Sequence, residues 1–104
     1  MKFINLTPHV IRLNDGREFP PSEVPARVDS KHSPFNEDGL CRVEFGKIYG
    51  LPEPEEGVCY IVSGMVATAA RTYRSDVVSP ATGHPDCVRK DGQVWSVPGF
   101  VRVW

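Results

Sequence analysis

The chain has 104 residues, of which 40% are hydrophobic and 24% charged, a composition typical of one soluble globular domain. Its formal net charge is −1, which argues against general nucleic-acid binding because proteins of that class carry a basic face. The N-terminal MKFINLTPH has no apolar core, no long apolar run follows, and the three cysteines are widely spaced. We therefore expect a single cytoplasmic domain, 1–104, with reduced thiols, no signal peptide and no membrane association.

Charge is distributed unevenly along the sequence. Residues 23–56 contain eight acidic and four basic side chains, a net of −4, whereas residues 71–102 contain five basic and three acidic side chains, a net of +2. An anionic ligand is therefore expected to bind the second half of the chain.

The first half of the sequence reads as short strands separated by turn residues. Apolar alternation and β-branched residues predict strands over 3–6, 9–13, 17–19, 24–28 and 40–49. Asn14-Asp15-Gly16 predicts a tight hairpin turn, because Asp-Gly readily adopts positive φ. The polar stretch 29–39 and the acidic, proline-rich stretch 51–57 are expected to be loops.

The second half contains the one predicted helix. Residues 58–62 form an apolar run that predicts a strand buried on both faces. Ser63 is a good N-cap for an alanine-rich helix over about 64–73. Further strands are predicted at 76–79, in a hairpin 87–97 that turns at Lys90-Asp91-Gly92, and at 100–104. The expected fold is α+β but mainly β, a small antiparallel β-sandwich or half-open barrel with one packed helix.

Ser63 and Gly64 are the first candidate ligand-binding residues. They join a buried strand to a helix, where free backbone N–H groups and the helix dipole favour a phosphate or carboxylate. The flanking glycines of a phosphate loop are missing, so the pair could equally serve only to cap the helix.

Arg71, Arg74 and Asp76 are the second candidate group. The two arginines are three residues apart near the helix end, and Asp76 could hold one guanidinium while the other binds an anion. We expect the ligand to be an anion that Arg71 and Arg74 hold, with Asp76 orienting the two arginines. The alternative is an ordinary surface ion-pair cluster.

Asn5 and His9 are the third candidates. Pro8 restricts the backbone between them, and the Asn5 and Thr7 side chains can bond to nearby backbone, which favours a structural turn between two strands. Asn5 and His9 could instead line a pocket at the sheet edge.

Metal and cofactor binding are not expected. His84 and Cys87 have the spacing of a zinc-ligand pair, but no second pair with such spacing occurs in the sequence. Histidine and cysteine are present without a local signature of nucleophilic catalysis.

The segments INLTPHVIRL, YGLPEPEEGVCYIVSGMVATAA and RSDVVSP resemble a set of small proteins from bacteriophages, prophages and their actinobacterial or proteobacterial hosts. The resemblance spans nearly the whole chain and transfers no catalytic residue. It implies a phage setting, in which small accessory proteins often inhibit host defence, and one kind sequesters a nucleotide second messenger without cleaving it. Arginines for phosphates and aromatic rings for bases are available in the basic half: Arg71, Arg74, Arg89, Tyr73, Trp95 and Trp104.

Three hypotheses follow. The first is a phage or prophage anti-defence protein that sequesters a nucleotide-like anionic molecule, the second is an enzyme that cleaves such a nucleotide, and the third is a structural or protein-binding phage accessory protein. No carboxylate dyad or histidine pair is evident in the sequence, which disfavours the enzyme. We also expect a homo-oligomer, because the apolar residues of 100–104 exceed what an exposed edge strand tolerates.

Overall fold

The computed structural model describes residues 1–102, in which the strands are short and form four sheets. In chain order the elements are β1 (Lys2–Asn5), β2 (Ile11–Arg12), β3 (Glu18–Phe19), β4 (Arg27–His32), β5 (Val43–Tyr49), β6 (Val58–Ile61), α1 (Gly64–Ala70), β7 (Val77–Pro80), β8 (Val88–Lys90), β9 (Gln93–Ser96) and β10 (Phe100–Val101). Val103 and Trp104, which were expected to complete the last strand, lie outside the described residues. The expected class, α+β but mainly β with one helix, is confirmed.

The central sheet has four strands in the order β1-β6-β7-β10. Strands β1, β6 and β7 are parallel, and only β10 pairs in the antiparallel direction. The expectation of an antiparallel arrangement is therefore wrong for the centre of the fold. The physical reason is α1, which carries the chain back across the sheet so that β7 runs in the same direction as β6.

Both faces of this sheet are covered, because its strands alternate between two apolar clusters. One cluster includes Tyr60 and Val77 and packs against α1 through Val66, Ala67 and Ala70. The other consists of Cys59, Ile61 and Val78, packed against partly buried Phe3, Ile11, Phe19 and Phe100. The aromatic rings of Phe3, Phe19 and Phe100 contact one another at centroid separations of 5.0–5.9 Å. Phe100, which was expected to promote self-association, thus packs inside its own chain.

Helix α1 begins where the sequence predicts and ends three residues early. The Ser63 side chain accepts a hydrogen bond from the backbone N–H of Val66, as an N-cap does. Ala70 is fully buried, whereas residues 71–73 are exposed, so burial stabilises the helix only as far as Ala70. No helix within residues 1–102 is long and apolar enough to span a membrane.

Strands β4 and β5 form an antiparallel hairpin that is a separate sheet and is not hydrogen-bonded to the central one. The sequence prediction of a loop over 29–39 is wrong for residues 29–32, which belong to β4 and pair with β5. These residues are polar and mostly exposed, so the apolar alternation that identifies a strand is missing from β4 itself. Gly50, which follows β5, adopts φ +79°, and a Cβ atom there would lie 3.0 Å from the carbonyl oxygen of Pro25.

The two predicted tight hairpins are present. Strands β2 and β3 flank the Asn14–Gly16 turn, and β8 and β9 flank the turn at Asp91 and Gly92, where both residues have positive φ. Asn14 connects the two hairpins, because its side chain accepts a hydrogen bond from the Ser96 hydroxyl at 2.6 Å and donates to the carbonyl oxygen of Asp86 at 2.9 Å.

The side chain of Asn5 is a buried junction between three segments. Its Nδ2 donates to the carbonyl oxygens of His9 at 2.7 Å and Phe19 at 2.9 Å. Its Oδ1 accepts from the backbone N–H of Thr7 at 2.9 Å and lies 2.6 Å from the Thr7 hydroxyl. Asn5 therefore joins the end of β1 to the segment before β2 and to β3, which confirms the structural turn.

Replacing Asn5 with alanine is expected to destabilise the protein by about 2–4 kcal/mol, because buried carbonyl and N–H groups lose their partners. Asn36→Ala is the matched control. Asn36 makes a similar turn, accepting from the backbone N–H groups of Asp38 and Leu40, but in an exposed loop. Chemical denaturation of both variants measures the difference, and equal losses of stability would contradict the assigned role of Asn5.

Candidate functional site

Three loops meet at one edge of the central sheet, because β1, β6 and β7 are parallel and end there together. These loops are residues 6–10 after β1, 62–63 after β6 and 81–87 after β7. The carboxyl ends of parallel strands are a common location for ligand sites, because the connecting loops there are free to form a crevice.

The largest cleft at this edge has a volume of about 830 Å³. All three loops contribute to its wall, which is mostly apolar and contains several hydroxyl and imidazole groups. Its lining residues are Thr7, Pro8, His9, Ile11, Ser63, Gly64, Ser79, Pro80, Ala81, Thr82, Gly83, His84, Pro85 and Val101.

A second cleft of about 430 Å³ adjoins the first. It lies between β2 and β9, and its walls include Arg12, Val94 and Trp95. Both clefts are lined by the same four residues, His9, Ile11, Pro80 and Thr82. The two clefts are therefore direct neighbours, and together we call them the carboxyl-edge cleft.

Two cations contact the indole of Trp95 beside the smaller part of the cleft. The Arg12 guanidinium carbon lies 4.2 Å and the Lys90 ammonium 4.0 Å from the ring centroid, both in the range of cation–π attraction. Arg12 also lies 3.6 Å from the Glu18 carboxylate. This end of the cleft thus combines an exposed aromatic ring with two positive charges.

His9 and His84 are exposed and lie on opposite loops of the larger part of the cleft. The Nδ1 atom of His84 accepts a hydrogen bond from the backbone N–H of Asp86 at 3.0 Å. In the neutral imidazole the proton therefore resides on Nε2, which remains able to donate to a ligand. Further hydrogen bonds within the 81–87 loop, from His84 N–H to the Ala81 carbonyl and from Cys87 N–H to the His84 carbonyl, give this wall a defined shape.

The sequence-predicted candidates Ser63, Gly64 and His9 are brought together in this cleft. Ser63 caps α1 and lines the cleft at the same time. Asn5 lies beneath the wall, 3% exposed, and its hydrogen bond to the His9 carbonyl holds the backbone of that wall.

Arg74 and Asp76 lie at the opposite edge of the sheet, because they precede β7. The Arg74 guanidinium donates from Nε and Nη2 to the two carboxylate oxygens of Asp76 at 2.8 and 2.7 Å. Nη2 also donates to the carbonyl oxygen of Pro52 at 2.7 Å. This fork holds the proline-rich loop against the start of β7. The hydrogen bonds from Arg74 lower the pKa of Asp76, and Asp76 in turn raises the pKa of Arg74.

Arg71 is exposed at the C-terminal end of α1. It lines a shallow depression that includes Tyr73 and Arg74. Because α1 runs from the carboxyl edge to the amino edge of the sheet, Arg71 is separated from the carboxyl-edge cleft by the length of the helix. The sequence-predicted residues therefore form two groups rather than one site.

Sequence reasoning named Trp95 as a ring suited to bases, but it did not connect Trp95 with Arg12, Thr82 and His84 in one cleft. The side chains of Arg12 and Trp95 meet only because β2 and β9 come together across the fold. The one available signal was the concentration of small and turn residues in SPATGHPD, which is typical of both ligand-lining and ordinary loops.

Cys59 is buried in the central sheet, and desolvation by burial raises the pKa of its thiol, so its thiolate is disfavoured. No group of three or more histidine, cysteine, aspartate or glutamate side chains in the described residues is arranged to hold a metal ion.

No family model, curated protein or solved structure matches this chain. The site is therefore inferred from the geometry of its own residues.

The Arg74–Asp76 fork predicts a pH dependence of stability. The folded-state pKa of Asp76 is below its ordinary value of 3.8, so its contribution is fully present above that pH and is lost as the pH falls through the lower, folded-state pKa. Wild type should exceed Asp76→Asn in unfolding free energy by about 1.5–3 kcal/mol at neutral pH. Denaturation curves collected at a series of acidic pH values should show this gap closing.

Asp15→Asn is the matched control for this experiment. Asp15 also pairs with an arginine two residues away, Arg17, but both side chains are exposed, so their pairing is screened by solvent. Two results would contradict the structural role of the fork. One is an equal loss of unfolding free energy in Asp15→Asn and Asp76→Asn. The other is a loss in Asp76→Asn that does not change with pH.

Proposed function

We propose that the protein binds a small, anionic, nucleotide-like molecule in the carboxyl-edge cleft and holds it without changing it. One observation carries this proposal: a cleft with apolar walls ends at an exposed Trp95 that is contacted by two cations, Arg12 and Lys90. A ligand that fits this arrangement has an apolar or aromatic body and a negatively charged end.

The dimensions of the cleft support a small-molecule ligand. Its two parts have volumes of about 830 and 430 Å³, which is the range of small-molecule sites in proteins. His9 and Thr82 line both parts, so a ligand in either part would contact these two residues.

The lining groups support a nucleotide-like ligand in particular. Arg12, which lines the cleft, and Lys90, which lies beside it on Trp95, suit phosphate groups. A base that stacks on the indole of Trp95 would take the place of one of these two cations on the ring. The Thr82 hydroxyl and the Nε2–H of His84 suit the hydroxyl and carbonyl groups of a sugar or base. Sequestration requires only complementary contacts of this kind.

The biological setting that we propose is anti-defence activity in the cytoplasm of an infected cell. It rests on the resemblance to small phage and prophage proteins, together with the cleft described above. A protein that sequesters a signal must be present in excess of that signal, which a small, readily synthesised domain allows.

The proposal is tested with a panel of mononucleotides, dinucleotides and cyclic oligonucleotides. Each compound is incubated with the protein, unbound material is removed, and the compound released by heat denaturation is identified by chromatography. Recovery of an unchanged nucleotide supports sequestration, whereas a cleaved product supports the enzymatic alternative. Failure of every compound to be retained would contradict the proposed ligand class.

Charge-neutralising variants locate the anion. Arg12→Gln should weaken the retained nucleotide's affinity by about ten- to a hundred-fold, because a charged hydrogen bond contributes about 1.5–3 kcal/mol. Arg17→Gln is the control, since Arg17 is an exposed arginine outside the cleft that also pairs with an acidic side chain. Calorimetric titration at two salt concentrations measures the nucleotide affinity of Arg12→Gln and Arg17→Gln. Arg71→Gln is measured as a third variant. A loss of affinity for Arg71→Gln but not for Arg12→Gln would place the anion at the end of α1 and reject the cleft.

A further inference from the structure

Ser79 is a buried residue in the wall of the larger part of the carboxyl-edge cleft. It is the third residue of β7 and only 5% exposed. Val77, two residues earlier on the same face of the strand, packs in the apolar cluster that contains α1. Val101, directly opposite Ser79 on β10, shares this face and also lines the cleft. The Ser79 side chain is therefore on the side of the sheet where the start of α1 and Val101 border the larger part.

The hydroxyl of Ser79 has no hydrogen-bond partner in the protein. The other buried polar side chains of residues 1–102 are those of Asn5, Thr7 and Ser96, and all three form hydrogen bonds at 2.6–3.0 Å. Ser79 forms none with any part of the described chain. No side-chain oxygen or nitrogen in residues 1–102 is both sealed from solvent and unpaired. The Ser79 Oγ atom is therefore reached from outside, and the cleft is the opening that its residue lines.

An unpaired hydroxyl at a buried position indicates a hydrogen-bonding ligand. Burying a hydroxyl without a partner costs free energy, and folded proteins pair the large majority of such groups internally. Alanine would fit the same backbone without this cost, and β7 otherwise consists of Val77, Val78 and Pro80. A hydroxyl that faces a cleft can instead be paired by the molecule that the cleft binds.

The larger part of the cleft is suited to an uncharged polar group. Its free hydrogen-bonding groups are the hydroxyls of Ser79 and Thr82 and the imidazoles of His9 and His84. Among the described residues, no aspartate, glutamate, lysine, arginine, phenylalanine, tyrosine or tryptophan lines this part.

The groups that suit phosphate and base lie at or beside the smaller part, where Arg12 and Lys90 contact Trp95. The portion of a nucleotide that remains for the larger part is the sugar. Sugar hydroxyls both donate and accept hydrogen bonds, as serine and threonine hydroxyls do.

We propose that Ser79 determines the specificity of the carboxyl-edge cleft by hydrogen bonding to a sugar hydroxyl, so that the cleft prefers ribonucleotides to their deoxy analogues. This inference rests on the proposed function, because it names the portion of the nucleotide that the larger part holds. A deoxy analogue would bury the Ser79 hydroxyl without giving it a partner. The cost of that unpaired group is the source of the discrimination.

Discrimination by the unaltered chain is measured first. The probes are ribonucleoside 5′-monophosphates and cyclic ribo-oligonucleotides, each paired with its 2′-deoxy and 3′-deoxy counterparts and titrated calorimetrically. One deoxy counterpart should bind about three- to tenfold more weakly than the ribonucleotide, as expected for one neutral hydrogen bond. Equal affinities within each set would overturn this inference and leave the proposed function intact. Binding of no nucleotide at all would reject both.

Ser79→Ala identifies the group that contacts the sugar. The variant should bind the ribonucleotide more weakly by the same factor and the deoxy counterpart almost unchanged, so that the ratio of the two affinities approaches one. Ser33→Ala is the control, because its hydroxyl lies in the loop between β4 and β5, outside the cleft. Its ratio should equal that of the wild type. A wild-type ratio in Ser79→Ala would assign the discrimination to another group and overturn the role of Ser79.

Stability in the absence of nucleotide separates a binding role of Ser79 from a structural one. Because its hydroxyl has no partner in the described chain, Ser79→Ala should leave the midpoint of urea denaturation unchanged or raise it. Ser96→Ala is the comparison, since Ser96 is also buried but its hydroxyl donates to the Asn14 side chain at 2.6 Å. That variant should have a lower midpoint. An equal decrease for Ser79→Ala would show that its hydroxyl stabilises the fold and would overturn the inference.

Discussion

The buried amide of Asn5 is the interaction on which the rest of the structure depends most. It links the end of β1 to the backbone of His9 and Phe19, and it fixes the turn at Thr7. A buried amide is costly unless all its donors and acceptors are paired, so this junction admits few alternative backbone paths. The path that it fixes brings the β2–β3 hairpin against one face of the central sheet and sets the backbone of one wall of the carboxyl-edge cleft.

The parallel direction of β1, β6 and β7 then determines what lies at each edge of the sheet. The three loops at the carboxyl edge form the cleft, whereas the amino edge is occupied by the Arg74–Asp76 fork and the proline-rich loop that it holds. Strands β4 and β5 form a two-stranded sheet of their own, and none of their residues lines the carboxyl-edge cleft.

Local features of this fold could be predicted from sequence, and long-range ones could not. The Asp-Gly turns at 15–16 and 91–92, the buried strand β6 and the Ser63 cap follow from the conformational preferences of a few neighbouring residues. The direction of β7 depends on the crossover through α1, and the polar β4 is a strand only because β5 pairs with it. Strand direction also decides which candidate residues share an edge of the sheet. One edge holds Ser63, Gly64 and His9. The other edge holds Arg71, Arg74 and Asp76. The contact of Arg12 with Trp95 joins residues more than eighty positions apart, and no local pattern signals it.

The three histidines allow the central claim, that the carboxyl-edge cleft is the ligand site, to be measured directly. His9 and His84 line the cleft, and His32 is the last residue of β4, outside the cleft, so the chain contains its own control. Nuclear magnetic resonance of the imidazole signals is followed while the nucleotide retained from the panel is added at constant pH. Binding in the cleft should shift the signals of His9 and His84, which saturate together, while that of His32 stays in place. Saturable binding that leaves both cleft histidines unchanged would contradict it.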